Sequence, residues 1–286
     1  MHSHAPSRRP QARRLQTGRQ PTGRQPTGRP PMRPGDTAWA GPRLAFTLLT
    51  AVPMPGREAR GAPDRQAARA AMYWAPVVGI ALGGVTAGVL IGCQHGHTGS
   101  LLAAVLAVGV LAALTRALHL DGLADTADGL GSRQPADRAL AIMSRSDIGP
   151  FGVVTLVLIL LIQVSALARA EQTGRGPLAI LVAAVAARLA ITIACRRGVP
   201  AARPGGLGAL VAGTVHPAAG AALAAVTIGA AVALGWIYAV AVAAGLACSL
   251  LLTALATRRL GGITGDVLGA IAEITTAACL LVTAIS

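Results

Sequence analysis

The chain has 286 residues, 53% of them hydrophobic with a mean hydropathy of +0.59, and its apolar residues run in long blocks. That is the pattern of a polytopic membrane protein rather than of a soluble enzyme. All 25 basic residues are arginine, for a net charge of +14. With no lysine there is no Walker A lysine and no Schiff-base lysine, which excludes P-loop ATPase and pyridoxal chemistry.

Residues 1–38 are rich in Arg, Pro and Gly and repeat Arg19-Gln-Pro-Thr-Gly23 as Arg24-Gln-Pro-Thr-Gly28. Such a segment buries too little apolar surface to order itself and lacks the apolar core of a signal peptide, so a disordered cytoplasmic tail able to touch anionic lipid is expected. Nucleic-acid binding is the weaker reading, because no aromatic residue interleaves the arginines. The remainder, 39–286, reads as one integral-membrane domain of the all-α class, a helical bundle of about seven spans. The apolar stretch at 41–52 is too short to cross a bilayer and is expected to be interfacial or re-entrant. The predicted spans are 74–92, 100–118, 151–168, 177–195, 218–234, 236–256 and 268–285.

Within the first span, the repeat Gly84-xxx-Gly88-xxx-Gly92 is assigned to close helix packing. Cys93, Cys195, Cys248 and Cys279 stand singly in or beside apolar runs, without a CxxC spacing, and are read as packing residues. Arginines follow the second span (Arg133, Arg138, Arg145), the fourth (Arg196, Arg197, Arg203) and the sixth (Arg258, Arg259). By the positive-inside rule these loops and the N-terminus are cytoplasmic; the loop at 169–175, with Arg169 and Arg175, sits uneasily on the outer side of that scheme.

The chemistry concentrates at Asp121-Gly-Leu-Ala-Asp125-Thr-Ala-Asp128-Gly-Leu-Gly131. On a helix these carboxylates share a face within about 60° of azimuth over roughly 10 Å. Clustered oxygen donors without Cys suit hard Mg²⁺, with Mn²⁺ as an alternative; the plain alternative is a solvated acidic helix end. Spacings of four and three residues do not match a calcium-binding EF-hand loop.

The following loop alternates Arg133, Asp137, Arg138, Arg145 and Asp147, an arrangement suited either to a diphosphate held between metal and guanidinium or simply to solvent. Arg203 opens a glycine-rich turn that reads equally as a phosphate cradle or as a connector. Asp266 and Glu273 are seven apart on one helical face, with Glu273 inside an apolar span. An acid at that depth marks either a site or a partner for an arginine such as Arg188. His119, two residues before the Asp cluster, is a candidate acid, base or hydrogen-bond donor, or merely a tolerated interfacial histidine.

These stretches resemble the cobalamin synthase family, the adenosylcobinamide-GDP ribazoletransferases of vitamin B12 assembly. The resemblance is carried by Phe46-Thr, Val52-Pro53-Met-Pro55, Tyr73-Trp-Ala-Pro76-Val-Val-Gly79, His119-Leu-Asp-Gly-Leu-Ala-Asp-Thr-Ala-Asp-Gly-Leu-Gly131, Ile142-Met143, Ile148-Gly-Pro-Phe-Gly152, Ala202-Arg-Pro-Gly-Gly-Leu-Gly208 and Gly261-Gly-Ile-Thr-Gly-Asp-Val-Leu-Gly-Ala270. It implies a multi-pass enzyme of the bacterial cytoplasmic (inner) membrane with its site facing the cytoplasm. Its substrates would be adenosylcobinamide-GDP and α-ribazole or its 5′-phosphate, its products adenosylcobalamin or its phosphate and GMP, and its cofactor Mg²⁺. On that reading Asp121, Asp125 and Asp128 bind metal, and one of them or Asp147 takes the hydroxyl proton. Arg138, Arg145, Arg203, Asp266, Glu273 and His119 contact substrate.

Two positions depart from the family pattern. Ser144-Arg145-Ser146-Asp147 stands where many relatives read Lys-Asp-Ser-Arg, and Thr276 stands where a second Glu commonly follows Glu273. Two rival readings remain open at this stage. A CDP-alcohol phosphotransferase also spaces Asp residues around metals, but Asp125 and Thr126 occupy the positions where its Ala-Arg should fall. An ion-coupled transporter would use Glu273 and Arg188 as a relay. The oligomeric state is open between monomer and homo-oligomer.

Overall fold

The computed structural model describes residues 40–51 and 64–285, so the expected tail at 1–38 and the Val52-Pro53-Met-Pro55 motif lie outside the described residues. The described chain is an all-α polytopic membrane bundle, with two isolated bridges and no strand among these residues.

The chain enters through the short helix α1 (Ala40–Leu49), which packs on the long α2 (Arg65–His95). Helix α2 starts where Asp64 caps it, accepting a hydrogen bond from the Ala67 N–H at 2.8 Å. Next come α3 (Ser100–Leu114), α4 (Leu118–Gly131), α5 (Ala136–Ile142) and α6 (Pro150–Gln172). They are followed by α7 (Gly176–Ala194), α8 (Gly206–Val211), α9 (Pro217–Leu234), α10 (Trp236–Leu260) and α11 (Gly265–Ala284). Prolines begin α6, α7 and α9 within their first two positions, where a missing N–H is harmless.

Among the described residues six helices are long and apolar enough to cross a membrane: α2, α6, α7, α9, α10 and α11. The seventh predicted span is not a straight helix. After α3 the backbone passes through two left-handed residues, Arg116 (φ 52°) and Ala117 (φ 54°), and α4 leaves at 88° to α3. Helix α3 alone has 15 residues, or about 22 Å, short of a bilayer core of about 30 Å. The aspartates therefore sit on a helix lying across the end of the bundle instead of at the mouth of a continuous span. The break is secured by the Ala51 N–H, which donates to the Leu114 carbonyl at 2.6 Å and satisfies one of the helix-end acceptors.

Helix α11 is the hub, packing against α4, α6, α7 and α10, while α2 and α7 form the most intimate pair. The α2–α7 contact corrects the packing assignment. A Cβ placed on Gly79 would lie 2.7 Å from the Ala184 carbonyl oxygen and 2.8 Å from the Val185 Cα, and one on Gly83 2.9 Å from the Leu181 Cα. A Cβ on Gly84, Gly88 or Gly92 meets nothing within 4 Å. The repeat seen in sequence faces outward, and the glycines just before it carry the close approach. Gly79→Ala is expected to lower unfolding stability in detergent by about 1–3 kcal/mol, because helix backbones must separate to admit the methyl. Gly88→Ala should be neutral or slightly stabilising; equal losses at both positions would contradict this packing.

Candidate active site

Helix α4 crosses the start of α11 at two glycines. A Cβ on Gly122 would lie 2.7 Å from the Asp266 carbonyl oxygen, and one on Gly269 3.1 Å from the His119 Cα. This backbone-to-backbone crossing brings residues from distant parts of the chain to one place, with Asp121 and Asp125 on α4 beside Asp266 on α11. Thr264 caps α11 by accepting from the Val267 N–H at 3.2 Å, and its hydroxyl donates to Asp266 Oδ2 at 3.1 Å.

The opposite wall is the glycine-rich turn and α8. Three interactions hold it against α11: the Ala202 N–H donates to the Ile263 carbonyl (3.0 Å), the Ile263 N–H donates to the Pro200 carbonyl (2.9 Å), and Gly208 abuts Ile263 and Thr264. From the far side, the Arg65 guanidinium at the start of α2 donates to the carbonyls of Ala209 and Ala212, both at 2.7 Å. A cation on the last carbonyls of a helix is favourable, and here it ties α8 to α2. Between these walls lies a cavity of about 230 Å³, lined among others by Asp121, Asp266, Arg203, Gly206, Gly208 and Thr264. Arg203 anchors itself by donating from Nη2 to the Leu140 carbonyl at 2.5 Å, while its charge acts on both Asp125 and Asp266.

Around the clustered carboxylates the local charge is negative. Asp125 has its carboxyl pushed up to about 6, first by burial and then by the neighbouring carboxylates of Asp121, Asp266 and Asp128, with Arg203 opposing. A cation placed here would relieve that repulsion. No three acidic, His or Cys side chains converge tightly enough, among the described residues, to hold an ion by themselves. Mg²⁺ does not require that, since it is usually held by one or two carboxylates plus water and substrate phosphate oxygens. The hard-oxygen pair Asp121 and Asp125, one helical turn apart, fits that description.

The remaining sequence-nominated residues are placed elsewhere. Asp128 is 7% exposed and turned away from the cavity into α6, where both its oxygens accept backbone N–H groups, from Gly149 (2.7 Å) and Gly152 (2.9 Å). Arg138, Arg145 and Asp147 are exposed on α5 and the turn after it, and none of them lines the cavity. His119 is buried under Gly269; burial, with the Arg188 charge adding to it, holds its imidazole down at about 3, so it is neutral. Glu273 lies two turns down α11, where Gln163 of α6 donates to its Oε2 at 2.8 Å. Arg188, 2% exposed on α7, acts on Glu273 through its charge, and its Nε and Nη2 have no hydrogen-bond partner among the described residues. Glu273 thus belongs to a buried polar layer with Gln163, Arg188 and His119, behind the cavity and not in it. Arg65 carries no signal in the sequence, Gln163 shows there as a carboxamide inside an apolar run, and Thr264 stands within the Gly261–Ala270 motif.

An all-α membrane bundle with an acidic cross-helix, a clamped glycine-rich turn and an arginine around one cavity defines a membrane-embedded protein with a charged site at one end. The chain belongs to the cobalamin-5-phosphate synthase family, whose family model matches residues 41–284. It is 46% identical over 265 residues to an adenosylcobinamide-GDP ribazoletransferase of Frankia casuarinae, covering 85% of this chain and 94% of that protein. It is likewise 40% identical over 246 residues to the one from Nocardioides sp. (85% and 96% covered), and 38% identical over 254 residues to the one from Sinorhizobium medicae (85% and 95% covered). No solved structure matches the chain.

Proposed function

We propose that this protein is an adenosylcobinamide-GDP ribazoletransferase, joining adenosylcobinamide-GDP to α-ribazole or its 5′-phosphate with release of GMP, and that the cavity between α4, α8 and α11 is its active site. The observation that carries the site is the Gly122–Asp266 crossing, which sets carboxylates of α4 and α11 opposite Arg203 and the glycine-rich turn. In the reaction a ribose hydroxyl oxygen forms a bond to the cobinamide-side phosphorus of the diphosphate. The P–O bond to the bridging oxygen breaks, GMP departs with that electron pair, and the hydroxyl proton passes to a carboxylate.

Such a transfer depends on positioning and charge neutralisation more than on covalent catalysis. Asp121 and Asp125 would hold Mg²⁺, which when bound neutralises diphosphate charge and polarises the phosphoryl oxygens. Arg203 faces the diphosphate from the opposite wall, and the clamped turn supplies a close-fitting backbone surface. Asp266, on the α11 wall, is the carboxylate left to accept the hydroxyl proton. The arginines Arg133, Arg138, Arg145, Arg196, Arg197, Arg258 and Arg259 fall at the cavity's end of the bundle, which supports a site facing the cytoplasm across the bacterial inner membrane.

The test is substrate discrimination by the purified protein in lipid. Adenosylcobinamide-GDP plus α-ribazole should yield GMP, and a CDP-alcohol should yield no CMP. The reverse pattern, or ion flux without GMP, would replace this reading.

A further inference from the structure

The carboxylate of Asp128 occupies an unusual position. Helix α6 begins with Gly149 as its N-cap and Pro150 next, so it has no side chain of its own to satisfy its first N–H groups. Asp128 supplies that cap from another helix, its Oδ2 accepting from the Gly149 N–H at 2.7 Å and its Oδ1 from the Gly152 N–H at 2.9 Å. The fit is tight on both sides: a Cβ on Gly149 would lie 2.5 Å from Asp128 Oδ1, and one on Gly152 2.5 Å from Oδ2. The same stretch of α4 is pinned again at Gly131, where a Cβ would meet the Phe151 ring at 2.7 Å. An acidic side chain at a helix start also complements the helix dipole.

We infer that Asp128 is a positioning residue, not a ligand of the ion: it clips the cross-helix α4 to the start of α6 and so sets the azimuth at which Asp121 lines the cavity and Asp125, one turn along, stands beside it. The clip acts one turn from Asp125, on the same rigid helix, so a small rotation of α4 moves the carboxylates that meet the diphosphate. This rests on the transferase reading for what is positioned. The clip itself does not depend on it.

The test breaks the clip from either side, in the full chain in nanodiscs, with Asp128→Asn and Gly152→Ala. Hydrogen exchange at the Gly149 amide and at residue 152 should quicken in both variants, whatever the protein's reaction; unchanged exchange overturns the clip. Mn²⁺ affinity, read from the free-ion EPR signal, should fall by a similar factor of about 10 in both variants, less than the loss in Asp125→Asn, which removes a ligand outright. Turnover should fall about 10- to 100-fold with KM for adenosylcobinamide-GDP little changed, and the double variant should be no worse than the worse single one. A large Mn²⁺ loss in Asp128→Asn with none in Gly152→Ala would make Asp128 a metal ligand instead. Lower melting with unchanged turnover per folded molecule would reduce it to a cap. Should Asp128→Asn fail to fold, Gly152→Ala carries the same comparisons.

Discussion

Asp125→Asn is expected to lower GMP release by at least about 10²- to 10³-fold while leaving a folded membrane protein, the scale seen when a group that stabilises transition-state charge is removed. Asp125 lies within electrostatic reach of Asp121 and Asp266, and its raised proton affinity reflects its burial first and then the negative charge of those neighbours. The amide keeps the shape of the side chain and removes the charge that an ion would answer. Proton and ion compete for the same oxygens, so Mn²⁺ affinity of the parent should weaken as pH falls through about 6, where Asp125 takes up its proton. The control is Asp137→Asn on the exposed surface of α5, which should keep GMP release within about 2-fold, as surface substitutions away from a site usually do. Comparable activity in Asp125→Asn and the parent would remove Asp125 from the site.

Arg188→Met should destabilise the bundle by about 3–5 kcal/mol, the usual range when one member of a buried charged pair is deleted. The guanidinium is enclosed among α7, α11 and α4, and without it the Glu273 carboxylate is left inside the bundle with Gln163 as its hydrogen-bond donor. Adding Glu273→Gln should recover a substantial part of the loss, because two carboxamides can hydrogen-bond each other without a counter-charge. Unfolding by SDS titration in mixed micelles reads both variants. A parent-like midpoint for Arg188→Met, or additive losses in the double variant, would show that the polar layer does not hold the helices together.

The apolar runs were enough to locate six of the helices, since blocks of that length have no other stable use. The break after α3 was hidden because no Gly or Pro marks it. Arg116 and Ala117 turn the chain through left-handed backbone, supported by the Ala51 N–H from far upstream. Spacing correctly suggested that Asp121 and Asp125 share a helical face, but it could not show that the face of Asp128 is taken by α6. Periodicity describes one helix and not its neighbours.

The meeting of Asp266 with α4 depends on the missing side chain of Gly122, a contact across more than a hundred residues of sequence. Glu273 shows the same limit in another form. Its place on the Asp266 face was legible, whereas its depth, and its allegiance to Gln163 rather than to the cavity, depend on where α6 and α7 pack.

Ion dependence tests the central claim most directly. Protein stripped with EDTA and assayed with adenosylcobinamide-GDP and α-ribazole should release no GMP above background, and readdition of Mg²⁺ or Mn²⁺ should restore release in the parent but not in Asp125→Asn. Undiminished GMP release from the stripped protein would contradict an ion held between the acidic cross-helix and the diphosphate.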